Sequence, residues 1–190
     1  MPGLVKDQQR GFSVASFEYR TMPAMRLVGR HVEWSVEKND WEPDADSVMS
    51  VYRRLDALGD YTSGFDYDVC FMHHFGKGYD VERLHNFLGR FMRTDCPVPD
   101  GLEGIDFVPE SDGKPGAPYI SQFAYATFTG DIDAMHESEG YDGGAMYDVT
   151  RNIMLGEAVN IPYPDKYWTA EVFLDGYGKP STAYMFSAEY

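Results

Sequence analysis

Twice in 190 residues the apolar pattern of this chain changes period in the same order, and that order restricts the fold more than any other feature. Residues alternating apolar and polar describe a strand with one buried face; apolar residues three and four apart describe a helix with one buried stripe. The first round opens with "FSVASFEYRTMPAMRLVGRHVEW" (12–34), which alternates, breaks at Met22-Pro23 and alternates again. It reads as a strand with a proline-marked kink, because Pro removes a ladder donor. "PDADSVMSVYRRLDALGD" then sets Val48, Val51, Tyr52, Leu55 and Leu58 at helical spacing, with Asp44 or Asp46 to cap the start and Gly59 to end it. "YDVCFMHHFG" and "HNFLGRFMRTD" follow as a hairpin across "GKGYDVERL".

The second round repeats this order after a Pro- and Gly-dense connector, "CPVPDGLEGIDFVPESDGKPGAP", which carries one short strand near 105–108. "YISQFAYATFTGD" is a strand. "GGAMYDVTRNIMLGEAV" places Ala145, Met146, Val149, Ile153 and Met154 on one helical face, with Gly156 as a stop. "YWTAEVFLDG" and "STAYMFSAEY" are two strands joined at the turn signal "YGKP". Two helices and about eight hairpin-linked strands define an α+β fold. The expected architecture is two pseudo-symmetric β-α-β-β units forming one curved antiparallel sheet. The helices pack on one face, and a ligand cleft lies between the units. Residues 1–11 form a tail and 12–190 a single domain, with halves of about 12–100 and 101–190.

Composition narrows the function. Sixteen basic residues against 31 acidic give a net charge of −15, which argues against direct nucleic-acid binding, since phosphate contacts need Lys and Arg. The 14 Tyr, 12 Phe, 3 Trp and 10 Met suit either an aromatic core or an adaptable apolar pocket. No stretch approaches the length of a membrane span, and the start of the chain has no apolar signal region, so a cytoplasmic location is expected. Cys70 lies in an apolar strand and Cys96 in a turn; free thiols are favoured over a disulfide between them, and Cys70 reads as structural.

No phosphate-binding loop, dinucleotide fingerprint, nucleophile elbow or Cys-x-x-Cys is present. His73 and His74 are adjacent, so on a strand they point to opposite faces. Together with His85 and Asp68 their spacing fits no zinc pattern, and neither a metal nor a cofactor is expected. Glu171 is the conspicuous charge. It shares a face with Tyr167, Thr169 and Phe173, whereas Trp168, Ala170, Val172 and Leu174 form the more apolar face that would seek the helices. On alternation alone Glu171 points at solvent. The competing reading sets it on an aromatic-rich face lining a cleft, with Tyr184 and Phe186 across from it.

"FEYRTMPAMRLVGR", "PDGLEGIDFVPE", "ISQFAYATFTGD" and "EVFLDG", in that order, resemble the GyrI-like small-molecule-binding domains. These are related to the effector-binding domains of multidrug-sensing transcription regulators. The resemblance runs from about residue 12 to residue 190. It implies a pocket between two β-α-β-β units, in which a glutamate on the penultimate strand meets lipophilic cations. Glu171 occupies the matching place, with Ala170 where an aromatic usually precedes and Phe173 where a Tyr often follows. The resemblance thus implies a stand-alone binding protein for lipophilic, cationic or planar aromatic compounds. Its expected lining is Glu171 with Trp34, Phe71, His73, Phe123, Tyr125, Tyr147, Trp168, Phe173, Tyr184 and Phe186. Some members are similar to hydrolases that open cyclopropane rings of genotoxic natural products; in that reading Glu171 activates water and Tyr147 or Tyr184 is the proton partner. A third implied reading is an acidic inhibitor of a DNA-binding enzyme such as gyrase. Fused regulators carry a helix-turn-helix segment, for which there is no room before residue 12, so a regulatory role would need a partner protein, and a homodimer is a further expectation.

Overall fold

The structure is a computed structural model. It describes residues 6–7, 12–35, 40–42, 45–65, 68–73, 85–108, 121–130, 143–162, 166–177, 179 and 182–190. The strands are β1 (Lys6–Asp7), β2 (Phe12–Thr21), β3 (Met25–Ser35), β4 (Asp40–Glu42), β5 (Asp68–His73), β6 (His85–Met92), β7 (Glu103–Phe107), β8 (Gln122–Gly130), β9 (Trp168–Phe173) and β10 (Ala183–Ser187). The helices are α1 (Ala45–Asp56) and α2 (Gly143–Gly156), and a 3-10 turn covers Gly59–Tyr61. This is an α+β fold in which the ten strands form one sheet, ordered β1-β2-β8-β10-β9-β5-β6-β3-β4, with β7 also paired to β3. All pairings between these strands are antiparallel.

The segment 12–34, expected as one kinked strand, is two strands that part company at Met22-Pro23. β2 pairs with β8, while β3 pairs with β6 and β7. Only Met22, Pro23 and Ala24 connect them, a span of at most ~14 Å. In the sheet order they stand six strands apart, ~29 Å if the sheet were flat. The sheet therefore curls until its two flanks meet. Gly29 and Gly89 face each other across β3 and β6, where a Cβ on Gly29 would lie 2.0 Å from the Leu88 carbonyl oxygen. Such close backbone approach is what glycine permits inside a strand.

Curling gives the sheet two buried faces. On one, Val48, Val51, Tyr52 and Leu55 of α1 and Ala145, Met146, Val149 and Met154 of α2 pack with Cys70, Leu88, Ala126, Tyr184 and Phe186. These are the helical faces the spacing predicts, except that Ile153 and Leu58 are only partly buried and Leu58 lies past the end of α1. Asp46 falls in the first turn of α1; Asp44 lies outside the described residues. On the other face, strand packs against strand: Leu27, Phe71, Phe87, Phe91, Phe107, Phe123, Trp168 and Met185 form an inner aromatic core. Phe71 stacks on Trp168 at 5.4 Å between ring centroids and meets Phe107 edge-on at 5.4 Å.

The expectation that the Trp168, Ala170 and Val172 face seeks the helices is reversed, for these residues belong to the inner core. The reason is that the curled sheet buries its most apolar surface against itself, leaving the mixed face for the helices. Among the described residues no helix is long and apolar enough to cross a membrane.

Candidate functional site

α1 packs mainly on β6 and β3, and α2 mainly on β10 and β8. The two middle strands, β5 and β9, thus run between the places where the helices rest. Directly opposed residues of an antiparallel sheet point to the same face. The row through Glu171 therefore reads Phe17, Ala126, Tyr184, Glu171, Cys70, Leu88 and Arg30 from β2 to β3. Its members Ala126, Tyr184, Cys70 and Leu88 belong to the helix-side core, so Glu171 faces the helix side as well.

Glu171 is only 9% exposed, which sets aside the reading from alternation alone that it points at solvent. Cys70 lies directly across from it. Burial pushes the Cys70 thiol well above its ordinary value, and the Glu171 carboxylate pushes it the same way. Cys70 is thus a neutral, structural thiol and not a nucleophile. Both cysteines are unpaired, as the sequence predicts, and both are buried.

Aromatic rings flank this strip from both sides. From the α2 side, Tyr147 lies 5.2 Å from Phe186 and 6.3 Å from Tyr184, and Tyr167 meets Phe186 edge-on at 5.6 Å. From the α1 side, Tyr177 stacks on Tyr52 at 4.6 Å and meets Phe173 at 5.1 Å. The Tyr52 hydroxyl donates to the Val69 carbonyl at 3.0 Å, and burial raises its pKa well above the ordinary phenol value.

A second buried carboxylate, Asp68, lies in the next row of the same face, opposite Phe173 and Arg90. Its neutralisation is explicit. Asp68 Oδ1 accepts from Arg90 Nε at 2.8 Å and Nη2 at 2.7 Å, and Oδ2 accepts from the Tyr177 backbone N–H at 3.0 Å. Arg90 Nη2 also donates to Asp56 at the end of α1, at 2.8 Å. The Asp68 charge is thus spent on tying the loop after β9 and the end of α1 to the sheet.

The structure brings Glu171, Tyr147, Phe173, Tyr184 and Phe186 together on the helix side. It sets Phe71, His73, Phe123, Tyr125 and Trp168 on the opposite face, so they line no common pocket with Glu171. Tyr125 there carries the Arg20 guanidinium 4.4 Å from its ring centre. Trp34 lies near the end of β3, paired with Trp41 of β4. Tyr52 and Tyr177 are the flanking residues that sequence reasoning missed. Tyr52 belongs to the buried stripe of its helix, and Tyr177 stands in a turn signal, so neither pattern marks them. Among the described residues no three His, Cys, Asp or Glu side chains stand ready to hold a metal.

No protein-family model and no curated protein matches the chain. Among solved structures, it is similar to an integron cassette protein from the mobile metagenome of Vibrio cholerae. The match covers 94% of this chain and 99% of that one, at 7% identity and a TM-score of 0.42.

Proposed function

We propose that this chain is a cytosolic binding domain for lipophilic cations and planar aromatic compounds, of the GyrI-like kind, with Glu171 as the counter-charge. The observation that carries this reading is a carboxylate buried on the middle strands, between the two helices and flanked by tyrosines and phenylalanines. A carboxylate that is largely shielded from water attracts a cation more strongly than an exposed one, because less solvent screens the pair. Aromatic faces add stacking and cation–π attraction, worth ~0.5–2 kcal/mol per contact.

The domain is two β-α-β-β units, each preceded by one further strand exchanged with its twin. The strand order supports this reading. Taken as β2-β8-β10-β9-β5-β6-β3-β7, it has the same plan from either end, with β9 and β5 at the centre. Cys70 and Glu171 are opposed across that central pair, so the ligand would lie at the junction of the units. Two unpaired thiols suit a reducing compartment.

Thermal-shift screening against lipophilic cationic dyes tests the binding reading. Stabilisation of the wild-type chain, reduced in Glu171→Gln, is expected. No stabilisation by any dye, or equal stabilisation of both proteins, would contradict it.

A second reading, hydrolysis of strained cyclopropane rings, is favoured by one feature: Tyr184 stands directly across from Glu171, with Tyr147 beyond it. A carboxylate beside a phenol can take a proton from water as the oxygen attacks a ring carbon, while the phenol protonates the carbon released by the broken ring bond and is then reprotonated by the carboxyl. Ring-opened product formed by the wild type and lost in Glu171→Gln would support it; binding without turnover would leave the first reading alone.

A further inference from the structure

On the inner face, away from Glu171, three imidazoles gather at one end of the sheet. His31 comes from β3, His73 from the last position of β5 and His85 from the first position of β6. The Nε2 atoms of His31 and His73 are 3.0 Å apart. His73 and His85 are directly opposed in register, with ring centroids 5.8 Å apart. Behind His31 stands Glu103 of β7. Its Oε2 lies 2.9 Å from His31 Nδ1, and its Oε1 accepts the His31 backbone N–H at 3.1 Å.

We propose that His31 and His73 form a binding site for a first-row divalent transition-metal ion, with His85 or water completing the coordination. A carboxylate only accepts, so Glu103 holds the proton of His31 on Nδ1 and leaves the lone pair of the neutral ring on Nε2. That is the outer-shell arrangement that orients a metal-bound imidazole and raises its basicity. Two ligand nitrogens on one metal at ~2.1 Å stand ~3.0 Å apart at a right angle and ~3.4 Å apart at the tetrahedral angle. The observed separation matches the first of these. No third ligand already stands in place among the described residues, so His85 would have to turn to join the pair.

Access and rigidity are both present. His73 is 1% exposed and fixed against Phe71, whereas the His31 side chain is 20% exposed and opens toward the surface. Imidazole donors select Zn²⁺, Co²⁺, Ni²⁺ and Cu²⁺ over Mg²⁺ and Ca²⁺. The proton that joins the two Nε2 atoms must leave, or move to Nδ1 of His73, before a metal enters. Acid therefore opposes binding. The site is separate from Glu171 and does not depend on the function proposed for it.

The test is titration of the chelator-treated full chain with Zn²⁺ by calorimetry and with Co²⁺ by visible absorption. One ion per chain is expected, with binding lost in His31→Gln, weakened about tenfold or more in Glu103→Gln, and weaker at pH 5.5 than at pH 7.5. His31 is at the rim, so its variant reports on the site even if a substitution of buried His73 prevents folding. No binding by the wild type, or equal binding by His31→Gln, leaves a hydrogen-bonded histidine pair and overturns the proposal.

Discussion

Ala170 and Glu171 are neighbours in sequence and strangers in space. Ala170 is fully buried in the inner core, opposite Phe71 and Met185, whereas Glu171 faces the helix side. An aromatic at position 170 would enlarge the inner core and would not touch whatever lies beside Glu171. Cys70 offers a direct readout of the strip that holds Glu171. Its thiol pKa is raised in the folded chain, first by burial and then by the Glu171 charge. The unfolded chain therefore gives up this proton at lower pH than the folded chain. The corresponding stability is present below the ordinary thiol value of 9.0 and is lost as pH climbs above it toward the folded value. Urea unfolding from pH 7.5 to 10 should show stability falling above pH 9, and the fall should be shallower in Cys70→Ala. Identical slopes in the two proteins would contradict this placement of the thiol.

At the scale of elements, the end of α2 shows what periodicity reads and what it leaves out. The spacing of Ala145, Met146, Val149, Ile153 and Met154 marks the stripe, of which only Ile153 stays partly exposed, and Gly156 stands where a stop is expected. The helix does run to Gly156, yet the left-handed position falls two residues later, at Ala158, with φ of 57°. The Val159 N–H donates to the Met154 carbonyl at 3.1 Å and the Ala158 N–H to the Leu155 carbonyl at 3.2 Å. This is a Schellman ending with an alanine in the place glycine prefers. Ala158→Gly should therefore stabilise the chain by about 1 kcal/mol, read as a higher urea midpoint at unchanged slope. A loss of stability would mean that the left-handed turn is not formed there.

At the scale of the whole molecule, the order of the helices and of the longer strands was legible because each has its own apolar period; β1, inside the expected tail, and β4 are too short to show one. Which strands meet was not legible, because long-range pairing leaves no period behind. The Met22-Pro23 break reads locally as a kink, but it is the point where the chain passes between the two flanks of the curled sheet. The same curl explains the divided fate of the aromatic residues. Phe71, Phe123 and Trp168 look like pocket lining from composition and strand position, yet a sheet wrapped on itself needs them as core. His31 and His73 are 42 residues apart, with β4 and α1 between their strands in the chain, so no local spacing announces their pairing.

What alternation could not place was Glu171, since the helix-facing side of its strand is buried without being the more apolar side. The role proposed for this carboxylate is counter-charge to a lipophilic cation. Its most direct test is the affinity of one cationic dye and its neutral isostere, each measured by calorimetry on the wild type and on Glu171→Gln. The account predicts that the substitution weakens the cation by about tenfold or more, about 1.4 kcal/mol, and leaves the neutral isostere unchanged. Equal losses for both ligands, or none for either, would contradict it.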